Sequence, residues 1–225
     1  MFLYQLFLNL SLRPGGTANE GEGKRPLILV SGLFGRMPQN LLERSVLLIR
    51  KAQYEDAEEI ARVHISTWRS AYKGLVPDPY LNSLSLQEKK KHWQQILSEN
   101  MGLSETLVAL DEGARSVIGF VSVGPCQDKH PGRKGEIYAL YLQDSRQKRG
   151  IGKKLFWQAA GSLERLGFSS MIVWVLKDNP ARFFYEKMGG CFYAEKEEET
   201  GGKRLKELAY SWDSFAPSAV SGTQK

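Results

Sequence analysis

A glycine-containing turn between a strand pattern and a helix pattern constrains the fold of this chain more than any other stretch. The turn is DSRQKRGIGKK, residues 144–154, and it follows the apolar segment GEIYALYLQ. After the first glycine, apolar residues recur every four positions and predict an amphipathic helix: Ile151, Leu155, Ala159 and Leu163. A helix that begins at such a turn presents free backbone N–H groups, and lysine and arginine side chains flank them here. The turn therefore predicts an anion site, although an ordinary solvated loop would explain the same residues.

Strand and helix patterns alternate along the rest of the chain and predict a mixed sheet. The segment VLLIRKA, from Val46, is a strand pattern, and residues 54–72 form a helix pattern with acidic residues in its first turns. The segment GLVPDPY is predicted to break that helix, and Ser85 with Glu88 forms a capping box at the start of a second one. The full order is β-α-α-β-β-β-α-β-α-β-β. It predicts an α/β (α+β) fold whose mixed sheet is antiparallel in its first half and carries helices on its faces.

The two ends of the chain differ from its middle. The segment RPGGTANEGEGKRP is rich in glycine, proline and polar residues, which is typical of a flexible linker. The short apolar run LILVSGLF has no partner segment nearby. We therefore expect residues 1–44 to be a flexible N-terminal appendage, residues 45–214 to form one domain, and residues 215–225 to be a disordered tail.

Charge and cysteine content argue against several classes of function. The formal net charge is +6, yet the sequence contains no long lysine/arginine block and no Cys/His cluster with zinc-finger spacing. We therefore expect no nucleic-acid partner and no bound metal. The two cysteines, Cys126 and Cys191, are too few for a disulfide framework, which favours a reducing, cytoplasmic location. No apolar run reaches the length that spans a bilayer, so no membrane partner is expected.

The turn does not match two well-known phosphate-binding patterns. A P-loop requires glycine where this chain has Gln147, and serine or threonine where it has Lys154. A dinucleotide-binding loop requires a third glycine at the position of Leu155. The pattern that fits is Q-x-x-G-x-G, from Gln147 to Gly152.

This pattern, together with its surroundings, resembles the GNAT superfamily of acetyl-CoA-dependent N-acetyltransferases. The strand ending ALYL precedes the turn, and a strand, Asn179 and FFYEKMGG follow it. The segment VHISTWRSAYKGLVP also looks like the first helix and following loop of a bacterial subgroup, so the resemblance covers roughly residues 46–213. It implies the GNAT fold, with a mixed central sheet of about six to seven strands and helices on both faces. It also implies transfer of an acetyl group from acetyl-CoA to a primary amine in a ternary complex. A non-catalytic domain that senses acyl-CoA is the alternative.

The resemblance also assigns a binding site for acetyl-CoA. The pantetheine arm would add to the strand before the turn like an extra β-strand, with Leu140, Tyr141 and Leu142 as backbone partners. Asn179 would bond the pantetheine or acyl region, although a helix cap explains it equally well. The pyrophosphate would lie in the turn, whose residues are Gln147, Lys148, Arg149, Gly150, Ile151, Gly152 and Lys153.

Catalysis by direct transfer requires an acid and a base. The resemblance places Tyr185 beside the thioester sulfur as the acid, against the alternative of a core aromatic residue. Glu136, at the start of the central strand, is the candidate base through water, and a structural glutamate is the alternative. His64 and His92 are lesser candidates for the base.

The acceptor itself is less defined by the sequence. Trp68 and Tyr72 are the candidate acceptor contacts, and helical spacing makes Trp68 equally a core residue. The acceptor, a small molecule or peptide amine, is left open, as is a homodimer.

Overall fold

The computed structural model describes residues 47–99, 102–111, 113, 116–127 and 134–215. Its seven strands are β1 (Leu47–Lys51), β2 (Glu105–Asp111), β3 (Ser116–Pro125), β4 (Lys134–Leu142), β5 (Ser170–Leu176), β6 (Cys191–Thr200) and β7 (Lys203–Trp212). Its α-helices are α1 (Ala57–Ala71), α2 (Asp78–Ser83), α3 (Leu86–Ser98), α4 (Ile151–Arg165) and α5 (Arg182–Lys187). The predicted appendage, residues 1–44, and nearly all of the predicted tail lie outside the described residues.

The strands form one sheet in the order β1-β2-β3-β4-β5-β7-β6. Neighbouring strands are antiparallel except for β4 and β5, which are parallel. This arrangement confirms the predicted mixed sheet, including its antiparallel first half. Helix α4 connects the two parallel strands, as a crossover between parallel strands requires.

The segment between α1 and α3 agrees with the prediction at its end and differs from it at its start. The Ser85 side chain accepts a hydrogen bond from the Glu88 backbone N–H at 3.3 Å, so this half of the predicted capping box of α3 is confirmed. The segment predicted only to break α1 also starts the short helix α2, directly after Pro77. Pro79 lies in the first turn of α2, where a missing N–H costs nothing. Prolines therefore mark a helix start here as well as a helix end.

The central strands β4 and β5 separate part of the way along the sheet. Their pairing runs from Lys134 opposite Ser170 to Ile137 opposite Val173, and it ends there. Directly after Ile137, β4 carries one extra residue relative to β3, because the pairing shifts from Val123 opposite Ile137 to Ser122 opposite Ala139. Such a bulge bends a strand and increases its local twist. The bulge and the end of the pairing therefore coincide and open a gap between the two strands.

Two apolar clusters cover the two faces of the sheet. Helix α4 and Tyr185 of α5 pack on one face, where Leu155, Phe156 and Leu163 are fully buried. Helices α1, α2 and α3 pack on the other face, where Ile60 and Trp93 are fully buried. The opening between β4 and β5 therefore lies between two layers of helices. Within the described residues, no helix combines the length and apolar character that a bilayer crossing requires.

Candidate active site

The turn between β4 and α4 has an unusual backbone. Lys148 has φ 59° and Gly150 has φ 80°, and Arg149 lies between them. A positive φ is uncommon for a residue other than glycine, so the conformation of Lys148 is imposed by its surroundings. Alternating backbone conformations of this kind turn successive N–H groups toward one point and create an anion-binding concavity.

The start of α4 has the charge distribution of an anion site. Gly150 is the N-cap residue, no side chain caps the helix, and no acidic residue lies in its first turn. Lys153 and Lys154 lie there instead. Positive side chains are unfavourable at the positive end of a helix dipole, so this arrangement favours binding of an anion over stability of the free helix.

The two glycines of the turn leave room for a ligand. A Cβ atom added at Gly150 would meet nothing within 4 Å, and one added at Gly152 would meet only Phe184, at 3.8 Å. Packing within the described residues therefore does not require glycine at position 152. The free space in front of the helix start fits a phosphate group that approaches the backbone closely.

The predicted turn residue Gln147 contacts other parts of the protein. Its Nε2 donates to the Leu142 carbonyl at 3.3 Å and to Asp144 Oδ1 at 3.1 Å. The side chain therefore stabilises the turn through hydrogen bonds to residues on its N-terminal side. Arg146 holds the turn to the sheet through an ion pair with the nearly buried Asp111, at 2.5 Å. Sequence analysis did not select this pair, because its members lie on different elements.

The strand edge predicted to bind pantetheine lies beyond the point where β4 leaves β5. Leu140, Tyr141 and Leu142 pair with β3 on one side. On the other side the ladder with β5 has already ended, at Ile137. Their backbone groups on that side are therefore outside the sheet ladder. An extended chain with amide groups fits such an edge.

Two phenols and an indole form a buried polar chain beside the opening. Tyr141 Oη accepts a hydrogen bond from Trp68 Nε1 at 2.9 Å and lies 3.5 Å from Tyr72 Oη. Burial raises the pKa of Tyr141 and raises that of Tyr72 well above its ordinary value, so both phenols stay neutral. Trp68 and Tyr72, the predicted acceptor contacts, are thus brought together, and both are buried.

Tyr185, the predicted acid, is buried among aromatic rings on α5. Its ring centroid lies 5.3 Å from that of Phe184 and 6.4 Å from that of Trp212. Burial raises the pKa of Tyr185, and the phenol of Tyr141 raises it further. The side chain is therefore protonated at neutral pH and close enough to the Tyr141–Tyr72 chain to interact with it electrostatically.

Two further predicted residues, Asn179 and Glu136, have clear structural partners. Helix α5 begins after Ala181 rather than after Asn179, so Asn179 is not its N-cap as considered from sequence. The Asn179 side chain instead accepts a hydrogen bond from the Ala181 backbone N–H at 2.9 Å, which closes a turn directly before the helix. This bond uses Oδ1 and leaves the amide N–H donors for other contacts. Glu136 is buried near the bulge in β4, and its carboxylate accepts from the Gln127 backbone N–H at 3.1 Å.

The two helical histidines, the lesser candidates for the base, lie on helices α1 and α3. His64 is buried, its Nδ1 accepts a hydrogen bond from Trp93 Nε1 at 3.3 Å, and burial holds its pKa well below the usual range. Burial also lowers the pKa of His92 to about 4. Both side chains therefore belong to the packing of α1 and α3. Among the described residues, no group of three or more His, Cys, Asp or Glu side chains could hold a metal ion.

The structure adds three side chains that sequence analysis did not select. Trp174 is the first residue of β5 beyond its pairing with β4, and its indole N–H is buried without a partner among the described residues. Glu207 on β7 is only 2% exposed, and Lys196 on β6 lies opposite it. A glutamate between apolar residues in LKELAYSW was the available signal for Glu207. An isolated carboxylate in a strand does not by itself indicate which side it faces.

Comparisons with known proteins agree with this geometry. A sequence model described as "Acetyltransferase (GNAT) family" matches residues 67–190. The chain is 40% identical over 167 residues to "Uncharacterized N-acetyltransferase YuaI" of Bacillus subtilis, covering 74% of this chain and 93% of the relative. It is 28% identical over 158 residues to "Spermidine N(1)-acetyltransferase" of Thermoplasma acidophilum, covering 68% of this chain and 91% of the relative.

A solved structure shares the fold. The PaiA N-acetyltransferase of Thermoplasma acidophilum, crystallised in complex with coenzyme A, superposes with a TM-score of 0.56 at 24% identity. The match covers 72% of this chain and 97% of that one.

Proposed function

Because the chain belongs to the GNAT acetyltransferase family and is an N-acetyltransferase, we propose that it transfers an acetyl group from acetyl-CoA directly to a primary amine within a ternary complex. The start of α4 carries this proposal. Its uncapped N–H groups, its basic first turn and the positive φ of Gly150 together suit a pyrophosphate. A non-catalytic sensor would need the same anion site but would not need the hydroxyl group of Tyr185.

The residues that would hold acetyl-CoA are those of the open strand edge and the turn. The backbone groups of Leu140–Leu142 that face away from β3 would pair with the amides of the pantetheine arm. The N–H groups from Lys148 to Lys153 would receive the pyrophosphate, with the basic side chains supplying charge. Acetyl-CoA, when bound, supplies an activated acetyl thioester.

We assign the two proton transfers to Glu136 and Tyr185. Glu136, acting through water, takes the proton that the acceptor ammonium loses before its nitrogen bonds to the acetyl carbon. Tyr185 donates its phenolic proton to the sulfur as the carbon–sulfur bond breaks, and the resulting phenolate is reprotonated from solvent. The products are an N-acetylated amine and coenzyme A. Because burial raises the pKa of Tyr185, the phenol is protonated at neutral pH and carries the proton that this step requires.

We propose that the acceptor lies against Tyr72, at the end of α1, rather than against the more deeply packed Trp68. Both residues are buried, but Trp68 uses its indole N–H to hold Tyr141. The spermidine acetyltransferase named among the relatives supports an aliphatic amine as acceptor. The two free cysteines support a cytoplasmic site of action.

Coenzyme A release tests the proposal. Purified protein is mixed with acetyl-CoA and a panel of primary amines, and free thiol is followed with a chromogenic disulfide reagent. We expect thiol release that depends on both the protein and the amine, with an acetylated product of matching mass. Tight binding of acetyl-CoA with no release in any amine would favour the sensor alternative.

A further inference from the structure

Three side chains on β5, β6 and β7 share one face of the sheet. Trp174 pairs with Ala209, and Leu176, two residues further along β5, pairs with Glu207. Glu207 pairs with Lys196 on its other side. Cross-strand partners point the same way, and residues two apart lie on one face. Trp174, Glu207 and Lys196 are therefore neighbours, on the face that α1, α2 and α3 cover, because Leu176 belongs to the cluster on that face.

The ammonium group of Lys196 lies between the other two side chains. Its Nζ is 3.9 Å from the centroid of the Trp174 ring and 3.9 Å from a carboxylate oxygen of Glu207. A cation over an indole face and beside a carboxylate is the arrangement with which proteins bind alkylammonium groups. The distance to Glu207 exceeds a hydrogen bond, so this particular contact does not lock the lysine in place.

This cation pocket lies next to the proposed reaction centre. Trp174 is the first β5 residue beyond the separation from β4. The charge of Glu207 contributes to the raised pKa of both Tyr72 and Tyr141, and Tyr141 contributes to that of Tyr185. Tyr185, the two phenols and Glu207 are therefore close enough to one another to interact electrostatically. An acceptor whose reacting nitrogen lies beside Tyr185 would extend toward the carboxylate.

From this arrangement we propose that Trp174 and Glu207 form a subsite for the second, unreacting ammonium group of a diamine- or polyamine-class acceptor, and that Lys196 occupies this subsite in the free protein. The inference rests on the proposed acetyl transfer and names the substrate class for it. The acceptor ammonium would take the position of the lysine ammonium over the indole ring. The lysine side chain, which has four rotatable carbon–carbon bonds, would turn toward solvent.

A matched pair of amines measures the subsite directly. 1,4-Diaminobutane and butylamine have the same carbon chain, and only the first carries a second ammonium. The readout is the ratio of kcat/KM for the diamine to kcat/KM for the monoamine. We expect the wild-type protein to prefer the diamine. Glu207→Gln keeps the side-chain shape but removes the charge, so the ratio should fall about 10- to 100-fold, as expected for loss of one hydrogen-bonded charge contact.

Removal of the competing lysine should have the opposite effect. Lys196→Met vacates the subsite while keeping an unbranched side chain, so KM for 1,4-diaminobutane should fall several-fold and that for butylamine should stay unchanged. Glu195→Gln and Lys206→Met are the controls. These two residues form an ion pair on the other face of the same hairpin, and their replacement should leave the amine ratio unchanged.

The outcomes separate this inference from the proposed function. Equal kcat/KM for both amines in the wild type, or an unchanged ratio in Glu207→Gln, would overturn the subsite and leave acetyl transfer intact. A higher KM for the diamine in Lys196→Met would overturn the placeholder role of the lysine. If no amine is acetylated at all, the proposed function fails instead. In that case calorimetry still tests the subsite, because it measures the Kd for 1,4-diaminobutane without turnover. Equal Kd values in wild type and Glu207→Gln would overturn it.

Discussion

At the scale of single residues, the hydroxyl of Tyr141 joins the acceptor side of the site to the proposed acid. It accepts a hydrogen bond from Trp68, lies 3.5 Å from the Tyr72 hydroxyl, and interacts electrostatically with Tyr185. The same residue contributes its backbone to the open edge of β4. One position therefore contributes to both proposed binding regions, through different atoms.

The first prediction concerns the hydroxyl of Tyr185. Tyr185→Phe should lower kcat by about 10²–10⁴-fold, because a positioned acid typically contributes that much. Acetyl-CoA affinity and Tm should change little, since the ring and its aromatic contacts remain. The defect should shrink at high pH, where a leaving thiol with a pKa of about 8.5 departs without a proton. Stopped assays across pH measure the effect.

The control for this variant is Tyr54→Phe, which removes the same hydroxyl from a half-exposed residue away from the site. It should leave kcat unchanged. A neutral-pH rate for Tyr185→Phe equal to that of wild type would transfer the acid role to water or another group, and Tyr185 would then be a packing residue.

The residues that can be identified from sequence are those whose type is required by the local backbone conformation. The glycine pattern at residues 147–152 reflects backbone conformation within one turn, so sequence alone suffices to identify it. The contact between Trp68 and Tyr141 joins residues 73 positions apart, and no local pattern indicates it. The Glu207–Trp174 arrangement likewise depends on which strands are neighbours. Sequence patterns therefore indicate the backbone of the turn more directly than the contacts of the acceptor side.

At the scale of elements, the unit of strand β4, turn and helix α4 is the most informative part of the chain. Its helix is amphipathic as predicted, and it ends at Arg165, two residues before Gly167, which has φ 85°. Its start departs from the usual preference for acidic residues and caps. Such a helix start is unfavourable when no anion is bound. A substitution that stabilises the helix and disrupts the ligand site therefore tests this interpretation.

The second prediction uses this opposition. Gly152→Glu should raise the free energy of unfolding of the free protein by up to about 1 kcal/mol, because glutamate has a higher helix propensity than glycine and suits the helix start. The same change should abolish acetyl-CoA binding, since a side chain and a negative charge enter the pyrophosphate position. Denaturant unfolding and calorimetry measure the two effects.

The matched control lies in the same helix. Gly161→Glu gains the same helix propensity near Arg165 but lies more than two turns from the ligand site, so acetyl-CoA affinity should be retained. Near-normal affinity in folded Gly152→Glu would contradict the assignment of the turn. Gly150→Glu should also abolish acetyl-CoA binding, and the positive φ at this position adds backbone strain in that variant.

The third prediction concerns the ion pair that holds the turn. Asp111→Asn keeps the shape of the side chain but removes the charge that faces Arg146. The turn should become less ordered, so Kd for acetyl-CoA should rise several-fold while kcat at saturation stays close to that of wild type. Equal Kd values would show that Gln147 and the helix start position the turn without the ion pair.

At the scale of the whole molecule, burial of two histidines makes stability depend on pH. Burial lowers the pKa of His64 and His92, that of His92 to about 4, whereas an unfolded histidine titrates at about 6.5. Below about pH 6.5 the unfolded chain therefore binds more protons than the folded one. Stability must then fall as pH decreases through this range.

The fourth prediction is a change in that slope. Between about pH 7 and pH 5, above the range in which carboxylates titrate, Tm should fall with decreasing pH, and the fall should be shallower in His92→Gln. Above pH 7 the slopes of the two proteins should coincide, because both histidines are then neutral in either state. Thermal melts at matched ionic strength provide the test. Identical slopes at pH 5–7 would mean that His92 titrates normally in the folded protein.

The last prediction concerns where the folded unit begins. A chain that starts at Ser45 should keep its Tm within a few degrees and bind acetyl-CoA like the full chain. All five residues of β1 pair with β2 from Leu47 onward, and the region matched by the family begins only at residue 67.

A chain that starts at Ala52 is the control. It lacks β1, whose Leu47 and Ile49 pack on the core, so its Tm should fall clearly. For a protein of this size, a loss of 1 kcal/mol lowers Tm by about 2–4 °C, which differential scanning calorimetry resolves. A fall in the Ser45 chain as large as that in the Ala52 chain would mean that residues 1–44 pack against the domain, and the predicted boundary would be wrong.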